Sequence, residues 1–143
     1  MCGIVGAVSK REVAQILIEG LKRLEYRGYD SAGLSTIEDN SVLTQIRQVG
    51  KVIGLENLVT RSKNDGKLGI AHTRWATHGQ PSTNNAHPHT SSDKISVVHN
   101  GIIENFQEIK IFLVEQGYKF LSETDSEVIP HLVHYYSKIS VDL

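Results

Sequence analysis

The only cysteine of the chain directly follows Met1, in Met1-Cys2-Gly3-Ile4-Val5-Gly6. Removal of Met1 would leave Cys2 with a thiol and a free α-amine on one residue, a nucleophile beside a base. An α-amine titrates at about 7.7–8.0, so it can take a proton from a thiol near neutral pH. N-terminal nucleophiles are activated by their own amine in this way. The plain alternative is a cysteine that packs as a small hydrophobe at the start of a strand.

If Cys2 attacks an amide carbonyl, the oxyanion that forms needs preorganised donors. Asn100 and the backbone N–H of Gly101 could supply two, although an Asn-Gly pair is also an ordinary turn. Arg74 can grip a carboxylate with a bidentate fork, or make a surface ion pair. Asp125 can bind an amino group or cap a helix. Trp75 can form a pocket wall or fill the core. His72, His78, His87 and His89 share one stretch and invite a metal reading, but no metal-binding spacing such as H-E-x-x-H or C-x-x-C is present. No metal and no cofactor is expected.

The bulk properties set the frame for these residues. A chain of 143 residues with 39% hydrophobic and 22% charged residues can build the core of one domain, or of part of a larger one. A net charge of −1 gives no electrostatic case for nucleic acid or an anionic membrane. One cysteine excludes an internal disulfide and fits a reducing, cytoplasmic setting. No apolar run long enough to span a membrane and no signal-peptide pattern is visible.

The elements follow from periodicity. Residues 4–8 read as a buried strand and 10–25 as a helix with Val13, Ile16, Leu17, Leu21 and Leu24 on one face. Gly28 can end that helix at positive φ, and Asp30, Ser31 and Gly33 supply turn chemistry. Residues 34–37 and 42–49 read as strands, 52–59 as a short helix, and 69–71 as the end of a strand. Residues 72–89 are too polar for core and too rich in Pro, Asn and Ser for regular structure, so they read as a long functional loop. A strand at 95–99 leads to Asn100. Residues 106–116 form a helix stopped by Gly117, and 119–121 a short strand. Thr124 and Glu127 form a capping-box pattern before a helix at 127–136, with Val128, Ile129, Leu132, Val133 and Tyr136 as its apolar face. Neighbouring strands without helices between them point to an α+β layered fold.

Taken together, the segments 2–6, 24–33, 72–79, 85–89, 98–105 and 122–128 resemble, in order, the glutaminase domain of the glutamine–fructose-6-phosphate aminotransferases, also called glucosamine-6-phosphate synthases. Related amidotransferases, the phosphoribosyl-pyrophosphate amidotransferase and asparagine synthetase, also begin with Cys-Gly-Ile, but segments 27–33 and 73–79 look like the sugar-phosphate enzyme. The resemblance implies an N-terminal-nucleophile fold, with two antiparallel sheets sandwiched between helical layers. It implies that Met1 is removed and that Cys2 attacks the side-chain amide of L-glutamine. A γ-glutamyl thioester then forms, ammonia leaves, and water releases glutamate. The Cys2 α-amine would be the base, with Asn100 and the Gly101 N–H as the oxyanion hole. Arg74 would hold the substrate carboxylate and Asp125 its α-amino group. Trp75, Thr77, His78 and His87 would line or close the pocket. Arg27 lies in a family motif near the nucleophile.

The family's domain continues past residue 143 and is followed by an isomerase domain that uses the ammonia on fructose 6-phosphate. The expectation is therefore the N-terminal part of a class II amidotransferase domain, truncated on its C-terminal side, from a full-length homo-oligomer. Such a piece alone should not make glucosamine 6-phosphate. The alternative is a catalytically incompetent fragment that keeps the glutamine pocket and acts as a binding or association module.

Overall fold

The computed structural model describes residues 2–140. Four strands form one antiparallel sheet: β1 (Gly3–Val8), β2 (Ser31–Ile37), β3 (Leu43–Val49) and β4 (Leu68–Arg74), in the order β1-β4-β2-β3. Two helices, α1 (Ala14–Lys22) and α2 (Val52–Arg61), cover one face. Val13, Leu17, Ile18 and Leu21 meet Ala32, Leu34, Ala71, Val52 and Leu55 there in a buried apolar cluster. Burial of this kind stabilises by about 25 cal/mol per Å² of apolar surface removed from water.

The other face carries a second layer. A hairpin of β5 (His89–Ser91) and β6 (Ile95–Val97) lies on it, tied by Ser96 Oγ donating to Ser35 Oγ at 2.8 Å and by Gln45 Nε2 donating to the Pro88 carbonyl at 2.6 Å. Outside the hairpin lie α3 (Phe106–Glu115) and α4 (Val128–Ile139), with α4 packed on both β5 and β6. The order of layers is helix, sheet, sheet, helix. Among the described residues no helix is long and apolar enough to cross a membrane.

Several expectations shift. The helix expected over residues 10–25 is shorter, and a 3₁₀ turn over Glu25–Arg27 follows it, ended by Gly28 at φ +73°. Gly33 lies in the middle of β2 rather than in a turn. A Cβ there would stand 2.2 Å from the His87 carbonyl oxygen, so the close approach of the two layers requires glycine. The strand expected to end at Ala71 continues through His72, Thr73 and Arg74. Residues 119–121 pair with no strand; instead the Leu121 and Ser122 N–H groups donate to the Glu127 carboxylate at 2.9 and 2.7 Å. The capping box is not made. Glu127 is spent on those groups, and Thr124 Oγ1 is engaged by His89 Nε2 at 2.8 Å. On α4 the buried residues are Val128, Pro130, His131 and His134, whereas Val133 and Tyr136 of the expected apolar face are exposed. The turn is set by polar anchors: His131 to Ser91 at 2.8 Å, and His134 to Ser92 and Tyr118 at 3.2 and 3.1 Å.

Candidate active site

Strand register assembles the site. β1 and β4 pair antiparallel with Gly3 opposite Thr73, which sets Cys2 beside the end of β4. The Trp75 N–H donates to Cys2 Sγ at 3.2 Å, and the thiol lies 3.7 Å from the Trp75 carbonyl. Ala71 faces the helix-side core, so the period of two turns His72 and Arg74 to the opposite face. There a cavity of ≈330 Å³ opens. Cys2, Arg74, Trp75, Thr77, His78, His87, Asn100, Gly101 and Asp125 all line it. These are the residues singled out from the sequence, and the fold brings them together.

Arg74 is 4% exposed. Its Nη2 donates to the carbonyls of His78 and Gly79, the latter at 3.3 Å. Its Nη1 lies 3.9 Å from Asp30 Oδ1 and has no hydrogen-bond partner among the described residues. Asp30 also accepts the Ala76 N–H, so it braces the turn that follows β4. Asp125, also 4% exposed, sits in a 3₁₀ turn over Asp125–Glu127. It does not cap α4: Oδ2 accepts the Ile103 N–H at 2.7 Å and Oδ1 the Ser126 hydroxyl at 3.3 Å. A buried guanidinium and a buried carboxylate thus face one cavity, each with hydrogen-bonding capacity to spare.

Asn100 and Gly101 follow β6 in an open bend rather than a tight hairpin. A Cβ on Gly101 would meet the His99 ring at 2.7 Å, so the ring would have to shift. Trp75 is half exposed and lies over Gly28 at the rim, so it is neither core filler nor a closed wall. Thr77 and His78 occupy the exposed turn, with the His78 ring edge-on to Phe106 at 5.8 Å. His87 is buried behind the cavity floor, stacked on His72.

Residues not expected in the pocket also line the cavity: His72, His99, Ile102, Thr124 and Ser126. The local sequence places His72 in a loop, and only strand register reveals that it points inward. The histidine cluster is real, and one ring nitrogen of each of His72, His87 and His89 is engaged, while His72 Nδ1 has no hydrogen-bond partner among the described residues. His72 Nε2 lies 2.7 Å from Asn100 Oδ1, His89 Nε2 pairs with Thr124, and His87 Nδ1 accepts the His99 N–H at 3.4 Å. Among the described residues no group of three or more His, Cys, Asp or Glu could hold a metal ion. Burial pushes His72 down to about 4 and His87 lower still, so both imidazoles are neutral.

A thiol at residue 2, a helix–sheet–sheet–helix stack and a buried Arg74 and Asp125 on one cavity can be set beside known proteins. Residues 72–142 match the family model described as a glutamine amidotransferase domain. The phosphoribosyl-pyrophosphate amidotransferase of B. subtilis, solved with ADP and GMP, superposes with a TM-score of 0.76 at 29% identity, covering 100% of this chain and 30% of that one. A structure of the allosteric regulatory enzyme of purine biosynthesis gives 0.71 at 32% identity, covering 99% and 30%. Residues 72–142 thus resemble a glutamine amidotransferase domain, and the fold is the N-terminal-nucleophile fold of these enzymes. The chain is also similar to glutamine–fructose-6-phosphate aminotransferase [isomerizing]. The Yersinia pseudotuberculosis enzyme (serotype I, strain IP32953) is 62% identical over 135 residues, 94% of this chain and 22% of the relative. The Vibrio vulnificus enzyme (strain YJ016) is 58% identical over 143 residues, 100% of this chain and 23% of the relative. The chain therefore spans less than a quarter of the length of these curated relatives.

Proposed function

We propose that this chain hydrolyses L-glutamine to glutamate and ammonia through a thioester on Cys2. One observation carries the reading: a single cavity is lined by the Cys2 thiol, the buried Arg74 guanidinium and the buried Asp125 carboxylate. A free amino acid offers a carboxylate and an ammonium, and these two charges complement Arg74 and Asp125. Trp75, Thr77, His78 and His87 line the same cavity.

The sequence of bonds is as follows. With Met1 removed (a residue outside the described ones), the Cys2 α-amine takes the thiol proton and Sγ attacks the γ-amide carbon. The carbonyl oxygen becomes an oxyanion held by the Asn100 side-chain N–H and the Gly101 N–H. The C–N bond breaks as the ammonium returns its proton to the leaving nitrogen, and ammonia departs. Water, deprotonated by the same amine, then attacks the thioester carbonyl. The C–S bond breaks, glutamate leaves and the thiol is restored.

We further propose that residues 1–143 are the N-terminal part of a cytoplasmic, homo-oligomeric aminotransferase. Its ammonia would be used on fructose 6-phosphate at a part of the protein outside this chain. The high identity to the sugar-phosphate enzymes supports that acceptor, and the fraction of each relative covered supports the partial-domain reading. A second reading, a piece that keeps the pocket but acts only in association, is favoured by the exposed side chains of Ile111, Val114, Val133, Tyr136 and Ile139. The test is intact-mass analysis of the folded chain treated with a glutamine-shaped electrophile, beside a glutamate-release assay. Loss of Met1, one adduct on Cys2 and glutamate release are expected. A folded chain that takes no adduct overturns the enzymatic reading.

A further inference from the structure

Asn100 lies in an exposed bend, and an asparagine amide can turn either end toward the cavity. The choice decides the chemistry. Nδ2 would stabilise a developing oxyanion, whereas Oδ1 would repel it. Among the described residues the only hydrogen-bond partner of this side chain is His72, whose Nε2 lies 2.7 Å from Oδ1.

The His72 ring cannot easily reorient. It is 1% exposed on β4, next but one before Arg74. It stacks on His87 with centroids 4.3 Å apart and planes 23° from parallel. His87 is wedged in turn against His89, with centroids 4.4 Å apart, and His89 is anchored to Thr124 Oγ1. On the far side, Gly33 allows the His87 backbone to approach the sheet.

We propose that His72 is the positioning residue that sets the Asn100 amide: its Nε2–H donates to Oδ1, and Nδ2 is thereby presented to the cavity as an oxyanion donor. This rests on the reading of Cys2 as nucleophile toward an amide. Burial, opposed by the hydrogen bond to Asn100, pushes His72 down to about 4, so a single N–H is present at neutral pH. The position of that proton fixes the amide. With Nδ1–H and a bare Nε2, the imidazole would instead accept from Nδ2 and turn Oδ1 to the cavity.

The tautomer can be read without any activity, from long-range ¹⁵N–¹H spectra of the histidines in the folded chain, with His72 assigned by its loss in His72→Gln. The Nε2–H tautomer is expected at pH 7, and the Nδ1–H tautomer overturns the proposal. Kinetics supply a second arm. His72→Phe keeps the ring volume but cannot donate, and should lower kcat by about 10–100-fold with KM for glutamine within about two-fold. His72→Gln, whose amide N–H reaches the Nε2 position, should recover most of that loss. Equal impairment of the two folded variants, or a parallel change in KM, overturns the positioning role. A wild-type chain with the Nε2–H tautomer but no glutamine hydrolysis counts against the glutaminase reading and leaves the amide orientation supported.

Discussion

The Cys2 sulfur is tied to the backbone of Trp75, 3.2 Å from its nitrogen, although the two residues lie 73 positions apart. The pairing of β1 with β4 makes this contact, so the thiol is held at the end of the sheet rather than on a loose terminus. Two changes separate the thiol from the amine. Cys2→Ser should lower hydrolysis by more than about 10³-fold, because a hydroxyl is far less readily deprotonated. A form that retains Met1 keeps the thiol but lacks the free amine beside it, and should lose about 10²–10⁴-fold, the usual worth of a general base. Glutamate release by mass-verified samples checks both; a fully active Met1-retaining form would remove the amine from the mechanism.

Arg74→Lys tests the carboxylate grip. The lysine keeps the charge but not the fork that spans the His78 and Gly79 carbonyls and leaves Nη1 buried without a hydrogen-bond partner among the described residues. A lost charged hydrogen bond costs roughly 1.5–3 kcal/mol, so KM should rise about 10–150-fold with a smaller change in kcat. Steady-state kinetics read the split; an unchanged KM would show that Arg74 serves only the turn.

How much of this was visible in the chain depends on which period each segment follows. Leu17 and Leu21 are at helical spacing and are buried as that spacing requires. His72 and Arg74 were not visible as strand residues, because β4 lies between two layers and its second face lines a polar cavity. Periodicity cannot distinguish such a face from a loop. The hairpin of β5 and β6 was hidden as well. Its turn places Ser92 and Asp93 at φ +53° and +52°, without the Asn-Gly or Asp-Gly pair that marks such a turn. The candidate residues were nevertheless legible by type, since a lone Cys2, the Asn100-Gly101 pair and Arg74 each carry specific chemistry. Their distances were not, because strand register is a long-range property.

Asp125→Asn separates recognition from architecture. Asparagine can still accept the Ile103 N–H through its oxygen, so the fold should hold. Without the charge, KM for glutamine should rise by about tenfold or more, in line with the worth of a charge-assisted hydrogen bond. The comparison that decides is an analogue lacking the α-amino group, such as glutaramate. Its KM should be nearly the same in wild type and variant. Equal penalties on both substrates would show that Asp125 does not face the amino group.

Gly33→Ala tests the seam between the sheets. A Cβ would stand 2.2 Å from the His87 carbonyl oxygen and 3.0 Å from that of Ile46, and backbone cannot step aside as a flexible side chain can. Overpacking typically costs about 1–3 kcal/mol, and the rigid neighbours put this site at the upper end or beyond. Gly6→Ala is the control, since nothing lies within 4 Å of its Cβ position. That change should stay within about 0.5 kcal/mol. Urea denaturation of both variants checks the contrast; equal stability would mean that the layers are less tightly apposed.

The buried imidazoles also set the acid limb of stability. Burial holds His72 at about 4 and pushes His87 and His89 down as well. In the unfolded chain each titrates near about 6.5. Between about 6.5 and 4 the unfolded state therefore binds protons that the folded state refuses. Stability must fall as pH drops through that window, by up to ~1.4 kcal/mol per pH unit for each imidazole. Glu127 works in the same direction at lower pH. Burial pushes its carboxyl up, but His131, the Leu121 and Ser122 N–H groups and the Ser122 hydroxyl outweigh it and hold the group well below the usual range. Its stabilisation is complete above the unfolded value of about 4.3 and is lost as the carboxylate is protonated below that. Urea midpoints should change little between pH 8 and 7, then drop between pH 6.5 and 5, with proton uptake on unfolding. A midpoint that stays level down to pH 5 would show that these histidines are solvated and free to charge in the folded chain.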